Sequence, residues 1–284
     1  MILKENGLIK NELIFKLYSK IQNKSSKYKA GMYELNTSMD QNKIMEELVK
    51  GGKLKSSSKF TIPEGFELKQ IADKLDSANL IDRDKFISLT SNVSNFDKEY
   101  TFLENLPEGS TLEGYLYPNT YEVFEDATEE DIIKKMLNTF KENYTDDIKE
   151  KGKKLGMSTH EIVTLASIIE REAVVEKERP IMSGVFHNRL KVSMPLQSCA
   201  TVQYALGERK SVLSNADVRI QSNYNTYINA GLPPAPISSP RVESIIAAVE
   251  PEDVDYLFFV RTGDDGSHTF SKSYNEHLNA KNRE

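Results

Sequence analysis

The sequence predicts an α+β protein in which small helical units at the N-terminus precede a larger mixed α/β domain. Three observations predict it. Apolar residues recur at helical spacing in most segments, and short β-type runs bounded by Pro, Gly and Asn interrupt them. An apolar pattern near the start returns further along at a fixed offset. From about residue 95 the texture changes and aromatic residues concentrate, so the division falls into residues 1–95 and residues 96–284.

The repeat comes first. Leu3, Leu8, Ile9, Ile14 and Leu17 lie 72 positions before Leu75, Leu80, Ile81, Phe86 and Leu89, and two short amphipathic helices around an Asn-rich turn account for both copies. The second copy is led in by a strand-like run, Phe60-Thr-Ile-Pro-Glu-Gly-Phe66, followed by the helical pattern Leu68, Ile71, Ala72, Leu75. The same offset places the first copy's lead-in ahead of residue 1, so the chain is expected to begin inside a module. Between the copies, residues 28–35 read as strand, 39–49 as helix ended by Gly51-Gly52, and 50–59 as a Lys/Ser linker.

The second part opens on Leu112-Glu-Gly-Tyr-Leu-Tyr-Pro118, a strand at 120–124 and a helix at 129–144. A further helix runs from a cap at Ser158, with Glu161 three residues on, to about 176. Residues 185–190 read as helix, 197–204 as a polar stretch, 223–240 as a Pro-rich loop and 242–249 as helix. The runs 256–260 and 267–270 flank Gly263-Asp-Asp-Gly266 and make a hairpin.

Composition narrows the function. Of 284 residues 38% are hydrophobic and 28% charged, the balance of a globular protein with a real core. The net charge of −6 argues against a nucleic-acid partner, which needs a basic face to displace counterions from phosphates. The single cysteine, Cys199, excludes an internal disulfide framework and a Cys-rich zinc site. No window approaches the roughly 18 apolar residues of a membrane helix, and Lys4 and Glu5 interrupt any signal peptide, so the chain as it stands reads as soluble.

Candidate chemistry centres on Glu170-Arg-Glu172. At about 100° per residue, Ile162, Leu165, Ala166, Ile169 and Ala173 share one helix face, and the two glutamates fall on its opposite flanks. They are not one acid/base pair. Either margin favours a neutral acid through desolvation, and periodicity does not choose between them. His160, His187, His268 and His277 are scattered, with no metal-ligand spacing. Neither a nucleophile elbow nor a phosphate loop is present. The stiff wall of Tyr224-Asn-Thr-Tyr227 and Gly231-Leu-Pro-Pro-Ala-Pro236 suits a sugar site, because Tyr faces stack on pyranose CH groups and Asn serves hydroxyls.

Together these stretches resemble one family, the endolytic murein transglycosylases of the YceG-like (MltG) group. The matching segments are Tyr28-Lys-Ala-Gly-Met-Tyr33, Pro63-Glu-Gly65, the Leu112 to Pro118 run, Leu165-Ala-Ser-Ile-Ile-Glu-Arg-Glu172, Val185-Phe-His-Asn-Arg-Leu190, Leu196-Gln-Ser198, Thr201-Val-Gln-Tyr204, Ser222-Asn-Tyr-Asn-Thr-Tyr227, Gly231-Leu-Pro-Pro234, Ile237-Ser-Ser-Pro240 and His268-Thr-Phe270. They cover nearly the whole chain in family order.

The resemblance implies LysM-like, membrane-proximal modules over 1–95 and a catalytic domain over 96–284. It also implies a single N-terminal membrane anchor, absent from this chain, with the catalytic domain extracytoplasmic. It selects the second glutamate, Glu172, as the catalytic acid. Glu113, Tyr117, Gln197, Ser198, Thr201, Tyr224, Asn225, Thr226 and His268 match polar or aromatic family positions that would bind substrate. Cys199 and Ala200 depart from the Asp and Pro that many relatives carry.

The implied substrate is peptidoglycan glycan strands, cut at MurNAc–GlcNAc β-1,4 bonds to leave 1,6-anhydro ends that terminate glycan elongation. Penicillin-binding or elongation synthases are implied partners; metal and organic cofactors are not required. Ordinary glycosidases need two carboxylates; one suffices where the substrate's own C6 hydroxyl attacks. The rival readings are a hydrolytic muramidase, in which Glu113 or Glu170 positions water, and a non-enzymatic cell-wall-binding protein. A pyridoxal-phosphate lyase, a label sometimes attached to the family, lacks a Gly-rich phosphate loop here.

Overall fold

The computed structural model describes residues 2–52 and 56–282. The backbone divides into two compact units, Met1–Ser58 with Glu122–Asp126 and Lys59–Tyr121 with Ala127–Glu284.

In the smaller unit, α1 (Ile2–Glu5) and α2 (Glu12–Ile21) precede α3 (Gln41–Lys50). Asn11 caps α2 by accepting from the Leu13 and Ile14 N–H groups, and Asp40 caps α3 by accepting from Lys43. Phe15, Ile9, Ile44 and Met45 are buried together, with Leu3, Leu8, Tyr28, Leu35 and Leu48 packed around them. The strand expected over 28–35 is not formed. Only Met32 makes an isolated bridge. The Lys29 N–H bond to the Leu48 carbonyl ties the segment to the end of α3 instead. Of the expected linker, residues 53–55 lie outside the described residues, and its end is the start of β1 (Ser57–Thr61).

After β1 come α4 (Leu68–Ser77), α5 (Arg83–Thr90) and β2 (Thr120–Phe124), which pairs with β1. The repeat is real in the backbone, with a slip. In α1 and α4 the turn bonds recur at an offset of 72: Gly7 to Lys4 and Asn79 to Asp76, then Leu8 to Leu3 and Leu80 to Leu75. Asn11 and Asp82 then cap α2 and α5 at an offset of 71, because the first turn holds one extra residue. The buried pairs are therefore Phe15/Ser19 and Phe86/Thr90. Ile14 and Leu17, expected to match Phe86 and Leu89, are exposed.

The rest of the larger unit is α6 (Glu129–Asn143), α7 (Asp146–Lys154), α8 (Thr159–Glu172), α9 (Arg179–Lys191), α10 (Cys199–Leu206), α11 (Val242–Val249), the antiparallel hairpin β3 (Phe258–Arg261) and β4 (His268–Ser271), and α12 (Tyr274–Lys281). Helix α8 is the central post. Ser158 and Glu161 close its capping box, every residue from Ile162 to Ile169 is buried, and α9, α10 and α11 pack around it. It stops at Glu172 rather than at 176, because Ala173 is extended and a 3-10 turn follows at Glu176–Glu178. The expected polar stretch 197–204 is mostly α10, and the helix expected at 185–190 is the longer α9. Among the described residues no helix is long and apolar enough to cross a membrane.

Glycine is required at 114 in the Leu-Glu-Gly-Tyr run. Its φ is +84°, and a Cβ there would lie 2.5 Å from Pro236 Cβ and 3.2 Å from Val163 Cγ1. Gly114→Ala combines a left-handed backbone with a clash, so a loss of about 2–4 kcal/mol is expected in urea unfolding. An unchanged midpoint would refute this account.

Candidate active site

The two glutamates of α8 have different surroundings. Glu170 is buried and saturated: Arg241 donates to it through its backbone N–H at 3.0 Å and its Nε at 3.0 Å, Ser244 Oγ at 2.9 Å, and Arg179 at 3.4 Å. Its side chain is 3% exposed and that of Arg179 4%. These groups come from the starts of α9 and α11, so the carboxylate joins three helices. Between the glutamates, Arg171 donates to the carbonyl of Gly65 at 3.1 Å, fastening the Pro63-Glu-Gly65 turn to the end of α8.

Glu172 is the last helical residue and is half-buried. Its Oε1 accepts from Ser198 Oγ at 2.5 Å and from the Ala200 N–H at 3.2 Å. Ser198 is the N-cap residue of α10 and Ala200 lies in its first turn, so one carboxyl oxygen sits at the positive end of a helix. Oε2 accepts no hydrogen bond among the described residues. One oxygen is anchored and the other is available.

The loop 222–227 holds Ser198 in place. Thr226 Oγ1 accepts from the Ser198 N–H at 3.0 Å and lies 2.8 Å from Thr201 Oγ1, while the Thr226 carbonyl accepts from Gln197 N–H at 2.9 Å. Thr201 in turn donates to the Ser198 carbonyl at 2.8 Å. Asn225 is fully buried and holds the loop by donating to the Val218 and Ile220 carbonyls. Gln197, at φ +51°, is exposed directly before Ser198.

The candidate residues thus separate into three places. Gln197, Ser198, Thr201, Asn225 and Thr226 build the wall against Glu172. Glu113, which is buried, and the half-buried Tyr224 belong to a neighbouring cluster: Glu113 accepts from the Leu68 N–H at 3.0 Å and from Tyr204 Oη at 3.2 Å, and Tyr204 packs against Tyr224 with ring centroids 4.9 Å apart. Burial pushes the Glu113 carboxyl up to about 8, against the opposing pull of these two bonds. Tyr117 and His268 are engaged elsewhere. Tyr117 Oη accepts from the Val242 N–H at 3.2 Å, at the start of α11, and His268 Nδ1 lies 2.8 Å from Glu178.

Two contributors, the Ala200 N–H and Arg189, were not singled out by the sequence. The Ala200 N–H is backbone and leaves no residue signature. Tyr227, expected as part of the stiff sugar-facing wall, closes the loop beside the glutamate, its hydroxyl 3.1 Å from Cys199 Sγ. Arg189 is buried, donates to the Leu257, Pro195 and Leu196 carbonyls, and is drawn down to about 10 by desolvation, with the charge of Glu172 opposing that shift.

The Pro-rich loop is stapled along α8. His160 Nε2 lies 2.7 Å from the Pro234 carbonyl, and Ser167 Oγ accepts from the Ile237 N–H at 3.0 Å.

The fold and site define an α+β protein built around one anchored carboxyl at a helix end. The chain belongs to the YceG-like family, whose model matches residues 1–283. It is 38% identical to an endolytic murein transglycosylase of Bacillus subtilis over 99% of this chain and 80% of that protein. It is also 34% identical to one of Streptococcus pneumoniae over 97% of this chain, which spans 54% of that longer protein. A solved YceG-like protein of Listeria monocytogenes superposes with a TM-score of 0.70 at 36% identity, covering 98% of this chain and 92% of that one.

Two predictions separate the acids. Glu170→Ala strands Arg179 and should lower stability by about 3–5 kcal/mol in urea unfolding, whereas Glu172→Gln should change it by less than about 1 kcal/mol. Equal effects would contradict the division of roles.

Glu113 carries a raised folded-state value, so between its unfolded value of 4.5 and about 8 the folded state binds more protons. Stability should therefore fall as pH rises through that window. Glu113→Gln should remove this slope, as read from thermal melts across it.

Proposed function

We propose that the protein is an endolytic peptidoglycan lytic transglycosylase, a lyase in which Glu172 is the single catalytic carboxyl. The observation that carries the reading is the asymmetry of that carboxyl: Oε1 is held by Ser198 and the Ala200 N–H, and Oε2 is left for the substrate. In this reading Glu172 protonates the oxygen leaving a MurNAc–GlcNAc β-1,4 bond. The carboxylate that results is stabilised where it forms, by a hydroxyl and a helix N-terminus. It then takes the proton of the C6 hydroxyl as that oxygen attacks C1 and closes the 1,6-anhydro ring. Holding the nucleophile within the same sugar supplies much of the acceleration.

A hydrolase needs a second carboxylate to act as nucleophile or to position water. Glu170 is saturated by arginine and serine donors, and Glu113 is buried against Leu68 and Tyr204. Both are thereby poor second carboxylates. Gln197 and Tyr227 are the wall offered to sugar, while Ser198, Thr201, Asn225 and Thr226 position it and Tyr224 packs on Tyr204 beside Glu113. Tyr117, Glu113 and His268 serve the frame around the site.

The wider reading follows the family resemblance of the sequence motifs. The substrate is nascent glycan, cutting it ends elongation, and cell-wall synthases are the partners. Residues 1–95 are read as LysM-like and membrane-proximal, residues 96–284 as catalytic, and the protein is placed at the outer face of the cytoplasmic membrane on an N-terminal anchor.

Mass spectrometry of muropeptides from uncrosslinked glycan strands tests the chemistry. The protein should produce anhydro-MurNAc ends, and Glu172→Gln should slow their formation by about 10²–10⁴-fold or more with the fold intact. Reducing MurNAc ends would identify a hydrolase. Glycan binding without products, indifferent to Glu172→Gln, would identify a binding protein.

A further inference from the structure

Helix α2 carries an apolar band that the fold does not use. Leu13, Ile14, Leu17 and Ile21 are 77%, 58%, 62% and 68% exposed. At about 100° per residue they fill one continuous sector of roughly 100°, on a different side of the helix from the buried Phe15 and Ser19.

The internal repeat supplies the control. At the offset of 71 that aligns the caps, these positions correspond to Asp84, Lys85, Ser88 and Asn92, all exposed in the second copy. The same helical unit therefore folds with polar residues there. The first copy is apolar at these positions for a reason other than its own core.

The surroundings indicate the partner. Lys16 and Lys20 border the band, and Lys10, Lys20 and Lys27 are exposed with no ion pair among the described residues. Residues 1–58 hold eleven lysines against six acidic residues, a local net charge of +5 in a chain whose total is −6. Beside the band Leu13, Phe15, Leu17 and Tyr28 line a groove of about 510 Å³ together with Lys16 and Lys20. Apolar walls with ammonium groups alongside match an acyl chain beneath a phosphate headgroup.

We infer that α2 lies on the surface of an anionic phospholipid bilayer, with Leu13, Ile14, Leu17 and Ile21 inserted at the headgroup boundary and the neighbouring lysines on the phosphates. A protein partner would need acidic groups around an apolar ridge. A lipid surface supplies both at once. The contact is reversible and independent of glycan cleavage.

The test is flotation of the whole chain with vesicles of phosphatidylcholine, with and without phosphatidylglycerol. The protein should float only with the phosphatidylglycerol vesicles and be released by high salt. Leu17→Ser with Ile21→Asn copies the second repeat without changing charge and should weaken binding by at least roughly tenfold. Lys10→Gln with Lys20→Gln should reduce the dependence on phosphatidylglycerol. Glu172→Gln should float like the unmodified protein, so failure of the lyase reading would leave this result untouched. Binding unaffected by the α2 pair would overturn the inference, as would no flotation at all. Dimerisation abolished by that pair, without lipid binding, would assign the band to a second copy of the chain.

Discussion

The carboxylate of Glu170, enclosed by Arg179, Arg241 and Ser244, is the interaction on which the larger unit depends. A buried charge of this kind is tolerable only when its donors are all in place, and losing one leaves the others uncompensated. The donors come from the starts of α9 and α11, so the position of α8's last turn is set by three helices rather than by its own packing. Arg171 adds a fourth tie, to Gly65. Glu172 inherits this rigidity at the end of a helix that has nowhere to shift.

Two residues along a helix is about 200° of rotation, enough to turn one glutamate inward and the other toward open space. Identical side chains thereby acquire different tasks, one structural and one with an unoccupied oxygen. Glu113 represents a third condition, buried with no cation beside its donors among the described residues and pushed up to about 8 chiefly by desolvation. The same functional group is a tie at Glu170, a half-anchored carboxyl at Glu172 and a buried load at Glu113, according to the donors that reach it.

Much of the scaffold was legible in the residues. The Ser158 and Glu161 capping box, the apolar face of α8, the β3–β4 hairpin and the helices of the repeat follow from local rules that tertiary packing did not overturn. The end of α8 was not legible, because Ala173 continues the apolar face while its backbone has already left the helix. Residues 28–35 have strand composition but form no ladder among the described residues, and the Lys29 N–H bonds to α3 instead. The choice of Glu172 over Glu170 came from family resemblance, since periodicity treats the two flanks alike. What separates them, Arg179, Arg241 and Ser244 on one side and Ser198 on the other, lies 9 to 74 residues away along the chain. The single-residue slip of the repeat was equally hidden, because Ile14 and Phe15 are interchangeable to any apolar pattern.

The linkages that hold Ser198 against Glu172 run through Thr201, Thr226 and main-chain groups, none of which carries charge. Dissolved ions weaken attraction between full charges and leave bonds among neutral hydroxyls and amides largely alone. The bonds that mould Ser198 around Glu172 are thus largely insulated from the ionic composition of their surroundings, unlike the charged tie at Glu170.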